Sequence, residues 1–211
     1  MKTPSTFPYQ LYLVISQADC KGQDFLDVAE QAILGGVDVI QLREKNDTLE
    51  TFVHKATQLK ALTDKYRIPL IINDNLEVAQ KVDAIGIHVG NTDMNPSVIR
   101  NQWSTSKYIG YSVEYLKQLE TAQVAFSDYL GISPVFRTPT KTDTVTEWGL
   151  DGIRTIKQLT DKPLVAIGSI NLGNVKSIIE AGADCVAVVS AICNAHDPQK
   201  AAFELKTEIL R

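Results

Sequence analysis

Five consecutive residues, Gln41-Leu42-Arg43-Glu44-Lys45, place an amide and two cations at alternate positions. In extended backbone successive side chains point to opposite faces, so Gln41, Arg43 and Lys45 share one side. A guanidinium grips phosphate oxygens through a two-pronged fork and an ammonium adds a compact charge, a pairing suited to a pyrophosphate. The same pentapeptide also reads as a strand end solvated by its charges, so a second feature has to decide. Asp74 and Asp93 are hard oxygen donors of the kind that Mg²⁺ takes singly or in pairs, while phosphate and water complete its octahedron. Taken alone, Asp74 would serve equally as the N-cap of a short helix. Set beside Arg43, Lys45 and Lys141, the two carboxylates describe a site for a metal-bound polyphosphate.

A second anion site is suggested further along. Thr138-Pro139-Thr140-Lys141 offers two hydroxyls, exposed amides and an ammonium, against the plainer reading of a proline-stiffened turn. Gly168-Ser169 and Val189-Ser190 each follow an apolar run, where backbone N–H groups can hold a substrate phosphate, and Gly168 lets the backbone come close. His88 lies inside an apolar run with no acidic neighbour and reads as a hydrogen-bonded core residue; Trp103 and Trp148 read as packing residues. No acid–base pair stands out. The three histidines, His54, His88 and His196, share no metal-ligand spacing, and the three cysteines, Cys20, Cys185 and Cys193, lack the spacing of a zinc site or a disulfide framework.

The elements that must position these groups are eight short β-rich apolar runs, at 11–15, 37–42, 69–73, 84–89, 107–111, 128–132, 163–167 and 184–189. Amphipathic segments lie between them. Phe25, Val28, Ala29, Ala32 and Ile33 fall on one helical face ending at Gly35-Gly36, and Val175, Ile178 and Ile179 on another ending at Gly182. Eight strand–helix units in 211 residues predict an α/β chain forming a single-domain (β/α)₈ TIM barrel over residues 1–211, with 1–10 as a short N-terminal extension. The third unit is tight, since its helix must fit into 74–83. In a barrel of this kind reactive groups sit at the C-terminal strand ends. There the sequence puts Gln41, Arg43, Lys45, Asn73, Asp74, Asp93, Ser112, Thr138, Thr140, Lys141, Gly168, Ser169 and Ser190.

Taken in order, LYLVIS (11–16), QLREK (41–45), LIIND (70–74), GIHVGNTD (86–93), IGYS (109–112), PVFRTPTK (134–141), PLVAIGSI (163–170) and AGADCVAVVSAI (181–192) resemble the thiamine phosphate synthase family. The resemblance covers nearly the whole chain. It implies a transferase of thiamine biosynthesis, Mg²⁺-dependent, that couples 4-amino-2-methyl-5-hydroxymethylpyrimidine diphosphate to 4-methyl-5-(2-phosphoethyl)thiazole with release of pyrophosphate. By motif, Gln41, Arg43, Lys45, Asn73 and Lys141 then contact the pyrimidine diphosphate, Asp74 and Asp93 bind Mg²⁺, and Ser112 belongs with the diphosphate. Arg43, Lys45, Lys141 and Ser112 form the catalytic group, while Thr138, Thr140, Gly168, Ser169, Val189 and Ser190 take the thiazole phosphate. The sequence departs from the family pattern at Asn75, Asn91, Ser133 and Ser169; the last stands where a second Gly is usual, so its side chain either crowds the phosphate or donates to it. A thiazole tautomerase of the TenI type, which needs neither the carboxylate pair nor the Thr-x-Thr-Lys run, and a catalytically silent barrel that binds thiamine precursors are the competing readings.

The net charge is −4, from 25 acids and 21 bases spread along the chain, without a basic block to follow a nucleic-acid backbone. No apolar run is long enough to cross a membrane and the first residues do not read as a signal peptide, so small-molecule partners and a cytoplasmic location are expected. Self-association into a homo-oligomer is left open.

Overall fold

The computed structural model describes residues 7–137 and 146–211. Eight parallel strands close on themselves in sequence order: β1 Leu11–Ile15, β2 Val39–Leu42, β3 Leu70–Asn73, β4 Gly86–Val89, β5 Tyr108–Val113, β6 Tyr129–Ile132, β7 Leu164–Ile167 and β8 Cys185–Val188. This is the (β/α)₈ barrel, and every expected apolar run supplies one strand.

The helices shield its outer surface. In α1, Phe25–Leu34, the buried residues are Phe25, Val28, Ala29, Ala32 and Ile33, the face expected from their spacing. Helix α2, Leu49–Tyr66, is capped by the Thr48 side chain. The crowded third unit is accommodated by a six-residue α3, Leu76–Lys81. Next come α4, Pro96–Gln102, α5, Ala122–Phe126, and α6, Gly149–Leu159. In α7, Val175–Glu180, Val175 and Ile178 are buried whereas Ile179 only borders the core. Helices α8, Ser190–Cys193, and α9, Pro198–Ile209, complete the chain.

Inside the barrel, alternate residues form a separate cluster that includes Tyr12, Val14, Val39, Ile71, Tyr129, Val165 and Ala187. Phe7, from the expected N-terminal extension, joins it: its ring is 1% exposed and lies 4.2 Å from the Tyr129 ring and 5.2 Å from that of Tyr108. Phe7 therefore helps plug the barrel at the end opposite the site.

At that same end one device recurs. Asp38, Asp128 and Asp184 each stand immediately before an even-numbered strand and accept a hydrogen bond from the backbone where the preceding strand starts. Asp38 takes the N–H of Gln10 and Leu11 at 2.9 and 2.8 Å, Asp128 that of Ile109 at 2.7 Å, and Asp184 that of Leu164 at 2.9 Å. A helix-borne cation closes each unit: Lys206, Arg100 and Lys157, at 2.6, 2.5 and 2.5 Å respectively. Each carboxylate ties two neighbouring strands to one helix, which explains why three of the eight observed strands begin just after these acids. Asp128→Ala removes an acceptor for both Arg100 and the Ile109 N–H, and is expected to lower unfolding free energy by about 1–3 kcal/mol in urea titrations. Asp151→Ala, whose carboxylate is 94% exposed, is expected to leave the midpoint almost unchanged.

Candidate active site

Two adjoining clefts open at the C-terminal end of the barrel. The first is lined by the ends of β7 and β8, the second by those of β2 to β5, and Arg43 borders both. Strand alternation in β2 turns Gln41 inward to a 4% exposed position and leaves Arg43 and Lys45 on the same side, nearer the mouth. Glu44, on the opposite side, is held by Lys55 at 2.9 Å and by the Gln17 N–H at 3.0 Å, so it does not neutralise the two cations.

Asp74 follows β3 with φ +59° and an N–H bonded to the His88 carbonyl at 2.9 Å. The helix that follows is capped by Asn75, whose side chain accepts from the Val78 N–H at 3.0 Å. Asp74 is thus relieved of the capping role and turns to Lys45, 2.5 Å away. Burial pushes its carboxyl up; Lys45 counteracts this, and the Asp93 carboxylate beside it raises it again. Asp93 itself accepts the Gly90 N–H at 2.8 Å. Two like charges brought together in a half-buried place are relieved by a cation between them. Their donor atoms are the hard oxygens that Mg²⁺ prefers, so the residues present fit that ion. Among the described residues no group of three or more His, Cys, Asp or Glu is gathered for a metal.

The other cleft contains Gly168, Ser169, Val189 and Ser190. Gly168 has φ +119°, and a Cβ there would lie 2.7 Å from that of Pro134, so conformation and space both require glycine. Ser169, at φ +49°, donates its hydroxyl to the Arg137 carbonyl at 2.6 Å. Its hydroxyl ties the loop after β6 to the loop after β7 while the residue lines the cleft. Asp19 also borders this cleft, engaged by the Ser16 hydroxyl at 2.6 Å.

The structure brings together all the expected site residues that it describes: Gln41, Arg43, Lys45, Asn73, Asp74, Asp93 and Ser112 in one cleft, Gly168, Ser169, Val189 and Ser190 in the other, with Arg43 common to both. Thr138, Thr140 and Lys141 lie outside the described residues. Reading residues by their place after a strand missed those that point inward from within one. Tyr12 and His88 line the clefts from within β1 and β4, while Ser133 directly after β6 and Asp19 after β1 line them from the loops. The available signal was the period-two alternation that puts Tyr12, Val14, Gln41 and His88 on one inner surface. Of the other departures from the family pattern, Asn75 is the α3 cap, and Asn91 accepts from the Tyr111 hydroxyl at 3.2 Å.

Fold and mouth together define an enzyme barrel whose charged groups converge at the C-terminal strand ends. A family model described as thiamine monophosphate synthase matches residues 11–192. A thiamine-phosphate synthase of Albidiferax ferrireducens is 45% identical over 93% of this chain and 90% of its own length. One of Alkaliphilus oremlandii is 43% identical over 99% and 100%. Among solved structures, a thiamine phosphate pyrophosphorylase from Pyrococcus furiosus superposes with a TM-score of 0.87 at 31% identity, covering 97% of both chains. The chain belongs to the thiamine monophosphate synthase family.

The Ser169 geometry sets the sign of a stability test. Ser169→Ala loses the bond to Arg137 and keeps a side chain at positive φ, whereas Ser169→Gly loses the bond but gains the residue that tolerates that conformation. Glycine is expected to be the more stable of the two variants by about 1 kcal/mol, measured as the difference in denaturation midpoint. Equal midpoints would mean that the backbone at 169 carries no strain.

Proposed function

We propose that the chain is a thiamine-phosphate synthase, and that its two clefts hold the pyrimidine diphosphate and the thiazole phosphate respectively, with Arg43 between them. The observation that carries this reading is the convergence of Arg43, Lys45, Asp74 and Asp93 in a cleft continuous with the Gly168–Ser190 cleft. The tautomerase reading is not favoured, since the relatives named above are synthases and that reading does not call for the carboxylate pair beside the cations.

The chemistry follows from what must be stabilised. The CH₂–O bond of the pyrimidine diphosphate breaks, pyrophosphate leaves with the electron pair, and the aminopyrimidine ring shares the positive charge left on the methylene carbon. The thiazole nitrogen lone pair then forms the C–N bond; no proton has to be removed first, which matches the lack of an obvious general base. Arg43 and Lys45, with Lys141 assigned by its Thr-Pro-Thr-Lys motif, offset the charge that grows on the leaving oxygen. Ser112 donates to the same diphosphate, and Gln41 and Asn73 hold the pyrimidine diphosphate in line. In the second cleft Gly168, Val189 and Ser190, with Thr138 and Thr140 by motif, hold the thiazole phosphate; Ser169 supports that cleft through Arg137. Mg²⁺, held by Asp74 and Asp93, would neutralise diphosphate oxygens. Catalysis on this account is mainly electrostatics and positioning. Phosphorylated precursors do not cross membranes unaided, so the activity belongs with a cytoplasmic location.

The direct assay incubates the protein with both substrates, with and without Mg²⁺, and follows thiamine phosphate and pyrophosphate. Failure to form either product would remove the reading. Asp74→Asn and Asp93→Asn are expected to lower turnover about a hundredfold or more at limiting Mg²⁺ while circular dichroism stays native. Near wild-type rates in both would dismiss the metal assignment. Arg43→Lys retains the charge but loses the fork, and is expected to lower kcat about tenfold with a smaller change in KM; a change confined to KM would contradict its role in stabilising the leaving group.

A further inference from the structure

The barrel interior beneath the carboxylate cleft contains a continuous chain of side-chain hydrogen bonds. The Gln41 amide Nε2 donates to the Tyr12 hydroxyl at 2.8 Å, and the Tyr12 and Tyr129 hydroxyls lie 3.1 Å apart. The Tyr129 hydroxyl meets His88 Nδ1 at 3.1 Å, and His88 Nε2 meets the Ser112 hydroxyl at 2.9 Å. Both ends, Gln41 and Ser112, line the cleft. The strands make room for this chain with glycine. A Cβ at Gly110 would lie 2.2 Å from Tyr129 Cζ and 2.3 Å from His88 Nδ1, and one at Gly131 would lie 2.9 Å from the His88 ring. Glycine in the interior of a strand marks such a close approach.

The chain has a direction, because each phenol carries a single hydrogen. Tyr12 is 1% exposed and receives the Gln41 N–H, so its own hydrogen goes to Tyr129. Tyr129, fully buried, receives that hydrogen and gives its own to His88 Nδ1. An Nδ1 that accepts leaves the neutral ring protonated at Nε2, and Nε2–H then donates to Ser112. At one end the Gln41 carbonyl oxygen is the part of the amide not used by the chain and faces the cleft as an acceptor. At the other the Ser112 hydrogen, not needed to bond His88, is available as a donor. Reversing any link reverses all of them.

We propose that His88, Tyr129 and Tyr12 form a one-way hydrogen-bond relay that fixes an acceptor at Gln41 and a donor at Ser112, and so act as positioning residues for the ligand of this cleft. The ligand end rests on the function proposed above: the Ser112 donor suits a diphosphate oxygen and the Gln41 acceptor suits an amino group. The relay itself does not depend on that function, and its test is made on the ligand-free protein.

The probe is the pair of His88 ring-nitrogen signals in long-range ¹H–¹⁵N correlation spectra of the full chain, assigned with His88→Gln. Wild type is expected to be protonated at Nε2 with Nδ1 bare. Gln41→Glu in its ionised form, secured by recording the spectra at a pH above the titration of that carboxyl, supplies only acceptors at the far end, so Tyr12 must donate to it, Tyr129 to Tyr12, and His88 must bring a proton to Nδ1. A substitution three hydrogen bonds away is therefore expected to protonate Nδ1. A proton on Nδ1 in wild type, or a bare Nδ1 in Gln41→Glu, overturns the relay. Should Gln41→Glu not fold, Tyr129→Phe keeps the ring and deletes the middle link; the Nδ1 signal is then expected to move toward that of a tautomer mixture, and an unmoved signal overturns the relay equally. For the positioning role, Tyr129→Phe is expected to weaken equilibrium binding of the pyrimidine diphosphate about tenfold. Undiminished binding alongside an altered His88 signal would overturn that role while leaving the relay intact, whereas failure of wild type to bind the diphosphate would count against the proposed function instead.

Discussion

Closing eight parallel strands on themselves forces every second side chain toward a common axis, and nothing else in this molecule is independent of that constraint. The space at the axis is limited, so large inward residues must be matched by small ones across the register. Gly110 pairs with both His88 and Tyr129, and Gly131 with Ser112. The aromatic rings fill the barrel beneath the mouth, and Phe7 fills it from the opposite end. Inward polar groups below the mouth, the Tyr12 and Tyr129 hydroxyls, are satisfied by each other, by Gln41 and by His88, whereas those nearer the mouth face the cleft.

The same constraint gathers charge at both ends of the barrel, in two different ways. At the end where the strands start, Asp38, Asp128 and Asp184 are each satisfied by backbone N–H groups and a helix cation, and their role is to hold strands together. At the other end Asp74 and Asp93 face each other, with Lys45 on Asp74 only. The first arrangement is closed electrostatically. The second sets two carboxylates side by side next to two cations at the cleft mouth, the concentration of charge on which the proposed polyphosphate site rests.

Departures from the family pattern acquire physical roles once their neighbours are known. Asn75 caps α3 and so frees Asp74 to turn toward the cleft. Ser169 accepts an unfavourable backbone conformation and connects two loops through Arg137. Both act on the site through backbone placement rather than by presenting a group to it.

The strands and most of the site were legible in the sequence because their signals are local. Apolar runs of β-rich residues, a helical face at Phe25–Ile33, and charged residues just after strands depend only on spacing. Gln41, Arg43, Lys45, Asp74 and Asp93 could be read in this way, and the structure brings them into one cleft. His88 was read as a hydrogen-bonded core residue, and it is indeed hydrogen-bonded, but its partners Tyr129 and Ser112 come from other strands. The role of Phe7 as a plug, the turn of Ser169 toward Arg137 and the direction of the Tyr12–Tyr129–His88 chain were likewise decided only by tertiary structure. Sequence spacing specifies which side of a strand a residue occupies; which atoms meet across the barrel depends on closure and register, and those are set by all eight strands together.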